Sequence, residues 1–255
     1  MDGSFHIEVS DAVSWLEGLP AASADLVVLD PGVPGRVARA GGKKSAPKVA
    51  SLPAERLPAL LYEVARVLAP GRVCWWVCET SQAFFAARAA ERLGFTLGAP
   101  MVWDRGDQQS VRLGFVLPLT RGKARSPGAE LIVAPRPPAE TAWPGELPES
   151  LCLGLIEAAT SPGELVIDPF CGSGSVGLAA VLGMRRYLGC DLAADGVSAA
   201  KARLTRAGGH AVDALAVLGP REVEAADEGA PVRTDRPGRQ GACQLTIFAD
   251  APRLT

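Results

Sequence analysis

"LVIDPFCGSGSVGLAA", residues 165–180, is the stretch whose reading decides the fold. An apolar run, Leu165-Val166-Ile167, ends at Asp168, as a buried strand does when it delivers a carboxylate to the edge of a sheet. Gly172 and Gly174 then allow a tight turn and a close approach of backbone to a ligand, and a helix opens near Ser175. Strand, glycine loop and helix in that order form a nucleotide-binding unit. The loop has no Walker lysine, which argues against a triphosphate, and its spacing differs from GxGxxG.

The next strand strengthens this reading. "RRYLGCDL", residues 185–192, ends in Asp191, where a carboxylate is placed to accept hydrogen bonds from ribose hydroxyls. Each half alone is common; in this order they favour an adenosine-containing cofactor over a purely structural turn. The remaining chain alternates in the same way. Strands are expected at 5–9, 25–29, 73–77, 95–103, 130–134, 165–167 and 187–190. Helices are expected from Asp11 to Pro20, over 57–68, 82–93, 151–160, 176–182 and 193–207, with Ala69-Pro70-Gly71 ending the second. The expected fold is therefore α/β, a doubly wound, mostly parallel sheet.

Composition is consistent with this. The 255 residues are 48% hydrophobic and 21% charged, the balance of a globular chain with a sizeable core. There is no apolar run of membrane-spanning length, and Met1 to His6 lacks the order of a signal peptide. The six cysteines show no metal-type spacing, which points to a reduced, cytoplasmic protein without a metal site. The net charge of −2 neither implies nucleic acid nor excludes it.

A second strand end is equally pointed. In "LVVLDPGVPG", residues 26–35, the run Leu26 to Leu29 ends in Asp30-Pro31-Gly32-Val33. With the glycine loop, this segment resembles the S-adenosylmethionine-dependent amino-methyltransferases that act on DNA. The likeness is to their permuted (beta-class-like) group, in which the catalytic motif precedes the cofactor motif. It runs through "SDAVSWLEGLPAASADLVVLDPGVPG", "EVARVLAPGRVCWWV" and "LPESLCLGLIEAATSPGELVIDPFCGSGSVGLAAVLGMRRYLGCDL", most of residues 5–207. The fold it implies is the class I (Rossmann-like) methyltransferase fold. By the same resemblance Asp168, Pro169, Phe170, Gly172, Ser173 and Gly174 shape the cofactor pocket, Asp191 holds the ribose, Asp30 borders the methyl group, and Asp11 is the acid near adenine. Asp11 also reads as a helix N-cap, and Phe170 as ordinary core.

The resemblance makes Asp30, Pro31, Gly32 and Val33 the catalytic motif, typically Asp-Pro-Pro and an aromatic residue. An exocyclic amine is a poor nucleophile because its lone pair is conjugated into the ring. Two acceptors, the carboxylate and a backbone carbonyl of the motif, here that of Gly32, hold the amine protons and favour a pyramidal nitrogen. The aromatic residue stacks on a flipped base. Gly32 for proline loosens the turn by ~0.4–1 kcal/mol. Val33 cannot stack, and an aromatic platform is worth ~1–3 kcal/mol per base. Another aromatic supplies the platform, with Trp103 and Trp143 as candidates, or the substrate is not a flipped base in the usual pose, or turnover is lost. At Leu147-Pro148 the family commonly has Lys-Pro.

Arg36, Arg39, Lys43, Lys44 and Lys48, with Arg56, make a basic loop suited to tracking phosphates or simply to solvent. Arg105, Arg112, Arg121, Lys123 and Arg125 form a second basic stretch among short β signals. The expected organisation is a methyltransferase-like domain over 1–218, with a small recognition insert at about 104–150, and a flexible tail over 219–255. In the tail Gln244, Leu245, Ile247 and Phe248 closely resemble the peptide that docks bacterial proteins on the sliding clamp; a terminal strand on the chain's own sheet is the other reading. Expected partners are DNA, a sliding clamp, a second copy in a homodimer, and no membrane; a restriction-modification setting belongs to the same expectation. The functional reading is methyl transfer to an exocyclic amine of adenine or cytosine. The alternatives are a catalytically inactive or divergent clamp-associated DNA-binding subunit, and an enzyme acting on RNA or a protein amide.

Overall fold

The computed structural model describes residues 3–32, 52–106, 113–122, 131–134, 143 and 145–219. In chain order these form β1 (Ser4–Val9), α1 (Ala12–Glu17), β2 (Ala24–Leu29), α2 (Leu57–Val67), β3 (Leu68–Glu79), α3 (Thr80–Arg92), β4 (Phe95–Leu97), β5 (Met101–Asp104), β6 (Leu113–Arg121) and β7 (Leu131–Val133). They continue with α4 (Glu149–Ala159), β8 (Leu165–Asp168), α5 (Ser175–Leu182), β9 (Arg186–Asp191), α6 (Ala194–Arg206), β10 (His210–Ala211) and α7 (Ala214–Leu218). Among the described residues the strands make one ten-stranded sheet, ordered β10-β1-β9-β8-β2-β3-β6-β5-β7, with β4 also on β6. The run from β10 to β3 is parallel, and β6 is antiparallel to its neighbours.

Every residue of β2 is buried, so it alternates between two cores rather than between core and water. Val27 and Leu29 join the layer under α1, α2, α3 and α7, with Leu60, Leu61, Val64, Trp76 and Ala90. Leu26 and Val28 join the layer under α4, α5 and α6, with Trp75, Leu155, Ala180 and Leu204. Each of these leucine and valine side chains contributes ~1.5–3 kcal/mol relative to exposure. The chain leaves β2 toward β3 on one side and leaves β8 toward β9 on the other, which makes the β2–β8 boundary the switch point of the sheet. The register, Leu26 with Val166 and Val27 with Ile167, brings the carboxyl ends of β2 and β8 side by side. Among the described residues no helix is long and apolar enough to cross a membrane.

Several elements differ from the sequence expectation. β3 begins at Leu68, so Ala69-Pro70-Gly71 lies inside a strand, carried by an irregularity between the Ala24 and Leu26 pairings. The expected strand 95–103 is two, β4 and β5, both paired to β6. β6 itself, nine residues long, is signalled in the sequence only as short β fragments because Gly114 and Pro118 interrupt its pattern. Pro118 is tolerated because it lies opposite the gap between β4 and β5, where its carbonyl accepts from the Gly98 N–H at 2.8 Å and no ladder donor is required of it. β6 and β7 both lie within residues 104–150.

Candidate active site and cofactor cleft

The loop after β8 is built from below. Asp168 is buried, 2% exposed; one carboxylate oxygen accepts from the Phe170 N–H at 3.1 Å and the other from the Tyr187 hydroxyl at 3.0 Å. Burial pushes its pKa up to about 7, with Asp191 and Asp30 adding to the rise against the two hydrogen bonds. Asp168 is thus a strut beneath the loop. Gly174 opens α5 with φ +84°, and a Cβ there would stand 2.9 Å from the Ala200 Cβ, so only glycine fits both the backbone and the space. The neighbouring Gly172 donates its N–H to the Asp191 carboxylate at 2.9 Å, whose other oxygen accepts from the Ala193 N–H at 2.8 Å. Asp191 ties the glycine loop to the start of α6 and keeps lone pairs for further donors. Ser173 is buried within the loop, and Pro169 lies between the Asp168 strut and Phe170, which packs partly buried against the core.

Asp11 stands one strand further along, where Val9 pairs with Asp191 and the Ser10 N–H donates to the Asp191 carbonyl at 3.1 Å. It caps α1, accepting from the Ser14 N–H at 3.1 Å. Arg56 also grips it with both guanidinium nitrogens, at 2.5 and 2.7 Å. Those bonds hold its pKa down at about 2. Arg56, which the sequence groups with the basic loop, is therefore turned to this carboxylate. Where the family commonly has Lys-Pro, Leu147 is buried in the core. Its neighbour Glu146 pairs with Arg203 of α6 and accepts from the Trp143 N–H at 2.8 Å.

Asp30 ends β2 half-buried, and its charge is felt by both Asp168 and Cys78. The Pro31 carbonyl accepts from the Leu52 N–H at 3.2 Å. Gly32 has φ +67°, a conformation proline cannot adopt. The difference from Asp-Pro-Pro is therefore a different course of the turn, not a looser version of the same one. The Gly32 carbonyl, expected to face an incoming amine, accepts from the Gln82 side-chain amide at 2.9 Å and keeps one lone pair. Beside the turn is an apolar cavity of about 270 Å³ lined by Pro31, Gly32, Leu52, Trp76, Gln82 and Phe85 among others.

The expected substitutes for an aromatic at position 33 do not line this cavity. Trp103 is fully buried, donating its indole N–H to the Ala134 carbonyl at 2.8 Å. The Arg105 guanidinium lies 4.9 Å from its ring centroid and 3.6 Å from Glu79, so this member of the second basic stretch is core, not surface. Trp143 is tied to the Glu146 segment. The residues missed in the sequence are Trp76, Gln82 and Phe85; the available signal is in Gln82 and Phe85, three apart at the start of a helix and so on one face. Val33, Arg36, Arg39, Lys43, Lys44 and Lys48 lie outside the described residues, as does the tail with Gln244, Leu245, Ile247 and Phe248.

Known proteins share this fold. A family model described as DNA methylase matches residues 118–202, from β6 through the glycine loop into α6. A Thermus thermophilus protein assigned as a DNA modification methylase, in complex with S-adenosyl-L-methionine, superposes with a TM-score of 0.62 at 20% identity, over 83% of this chain and 99% of that one. The fold is a methyltransferase fold. The cytosine-N4-specific PvuII DNA methyltransferase shares this methyltransferase fold with a TM-score of 0.62 at 16% identity, over 82% of this chain and 95% of its own. In sequence, the DNA adenine methyltransferase YhdJ of Escherichia coli K12 is 30% identical over 79 residues, 31% of this chain and 27% of its own. The type II methyltransferase M.EcaI of Enterobacter cloacae is 45% identical over 51 residues, 20% of this chain and 11% of its own. The chain thus spans about a quarter or less of the curated relatives' length.

Proposed function

We propose that this chain transfers the methyl group of S-adenosylmethionine to an exocyclic amine of adenine or cytosine in DNA. The observation that carries the reading is the juxtaposition at the switch point: the Asp30-Pro31-Gly32 turn ends β2 beside the glycine loop that ends β8. The donor set fits the cofactor. Asp191 presents a carboxylate for ribose hydroxyls, and Gly172 to Gly174 bring bare backbone to the amino end of α5. Bound there, S-adenosylmethionine supplies an electrophilic methyl group. Asp30 accepts a hydrogen bond from the amine, and a carbonyl of the turn, from Pro31 or Gly32, accepts the second. Together they draw the nitrogen lone pair out of conjugation and hold it toward the methyl. The cavity beside the turn receives the base; its apolar walls exclude water from the reacting amine.

DNA is the partner this reading requires, and the basic residues of the 36–48 segment are proposed to meet its phosphates. The Gln244 to Phe248 peptide is proposed to dock on a sliding clamp, its tether raising the local concentration at DNA.

The test is transfer of labelled methyl from S-adenosylmethionine to unmethylated random-sequence DNA, single- and double-stranded. Asp30→Ala is expected to lower turnover by roughly 10²–10³-fold, the scale of one lost preorganised hydrogen-bonding group, while still binding cofactor. A wild type that binds cofactor and leaves DNA unlabelled would overturn the reading.

A further inference from the structure

We infer that the first two turns of α3 supply what the turn after β2 lacks, with Gln82 as a positioning residue and Phe85 as the stacking face for the target base. The stacking half rests on the DNA reading above; the Gln82 half rests on geometry alone. The Gln82 amide spans two loops. Its nitrogen donates to the Gly32 carbonyl at 2.9 Å, while its oxygen accepts from the Glu79 N–H at 3.2 Å. Glu79 in turn caps the Gln82 backbone, so the start of the helix fixes this residue at its backbone N–H and at its side-chain oxygen and leaves the amide nitrogen to Gly32. A glycine with φ +67° has no side chain to hold its conformation, and the clamp from Gln82 provides that restraint from outside.

Phe85 is on the same helix face, one turn on, and lines the same cavity. It is 58% exposed, which leaves its ring free to receive a planar ligand at the mouth, while Trp76 forms the buried wall. Of the two exposed phenylalanines of α3, Phe84 and Phe85, it is Phe85 that lines the cavity. A nucleobase entering the cavity gains its face, in place of the aromatic that Val33 does not offer.

Gln82→Glu separates clamping from helix capping. Glutamate at this position keeps the acceptor for the Glu79 N–H but has no donor for Gly32. Its kcat is expected to fall roughly tenfold, with melting temperature and cofactor affinity near wild type, and to recover as pH falls and the carboxyl regains a proton. Phe85→Ala is expected to raise KM for DNA roughly tenfold or more with kcat less affected, and Phe85→Tyr to restore it. Wild-type kinetics in Gln82→Glu or in Phe85→Ala would overturn the corresponding half. Hydrogen exchange of the Gln82 side-chain amide reads the clamp without turnover. Slow exchange in the wild type supports it and free exchange overturns it. Retained wild-type DNA affinity in Phe85→Ala likewise overturns the stacking role. An absence of methyl transfer in the wild type, by contrast, counts against the proposed function and leaves the clamp to the exchange result.

Discussion

The loop after β8 and the turn after β2 end neighbouring strands, yet they are held in different ways. The glycine loop is fixed by residues of its own βαβ unit and the helix that follows it: Asp168 below it, Asp191 beside it, and Ala200 of α6 packed against Gly174. The β2 turn is fixed by groups from elsewhere, the Leu52 N–H and the Gln82 side chain, 50 residues from Gly32 in the chain. One half of the site is local and self-supporting; the other is assembled by the sheet. Motifs report the first kind of site faithfully and the second only in part.

The contrast is broken most severely at Gly174. Gly174→Ala forces a Cβ to 2.9 Å from the Ala200 Cβ in a left-handed backbone, an expected cost of about 2–4 kcal/mol seen in thermal melts, with cofactor binding lost alongside. Near-wild-type stability would show that the loop is less constrained by its unit than described. Gly32→Pro sharpens the other side. Although proline is the commoner residue there in the family this segment resembles, it cannot take φ +67°, so turnover is expected to fall while cofactor affinity holds. Improved turnover would mean the turn is merely loose.

These two glycines show what the sequence makes legible. The alternation of strands and helices follows from period-two and helical patterns, and the β8 loop from its glycines. Whether Gly32 is a loosened proline or a left-handed residue is a backbone angle, set by contacts with α3, and no spacing encodes it. The same holds for β6. Pro118 argues against a strand until the gap between β4 and β5 is known. Asp11 shows a milder case: its cap is readable, but the Arg56 partner is 45 residues away.

Smaller effects test the acids of the cleft. Burial raises the Asp168 pKa to about 7, so its folded-state value exceeds its ordinary value of 3.8. Its favourable contribution is complete below about 3.8 and is lost as pH rises through about 7. Urea unfolding is expected to show wild type losing stability relative to Asp168→Asn between those values; a pH-independent difference would contradict the buried strut. Asp11 runs the other way. Held at about 2, it stabilises above 3.8 and loses that contribution as pH falls toward 2. Asp11→Ala is expected to cost about 1 kcal/mol at neutral pH, mostly the helix cap, because the Arg56 pair is largely solvent-screened.

The most direct test of the central claim is the identity of the methylated nucleoside. Random-sequence DNA treated with the protein and S-adenosylmethionine, digested and separated by mass spectrometry, is expected to contain N6-methyladenine or N4-methylcytosine, at roughly 10²–10³-fold lower yield per unit time with Asp30→Ala. Methyl on cytosine carbon 5, or label recovered only in RNA or protein, would contradict an exocyclic amine of DNA as the acceptor held by Asp30.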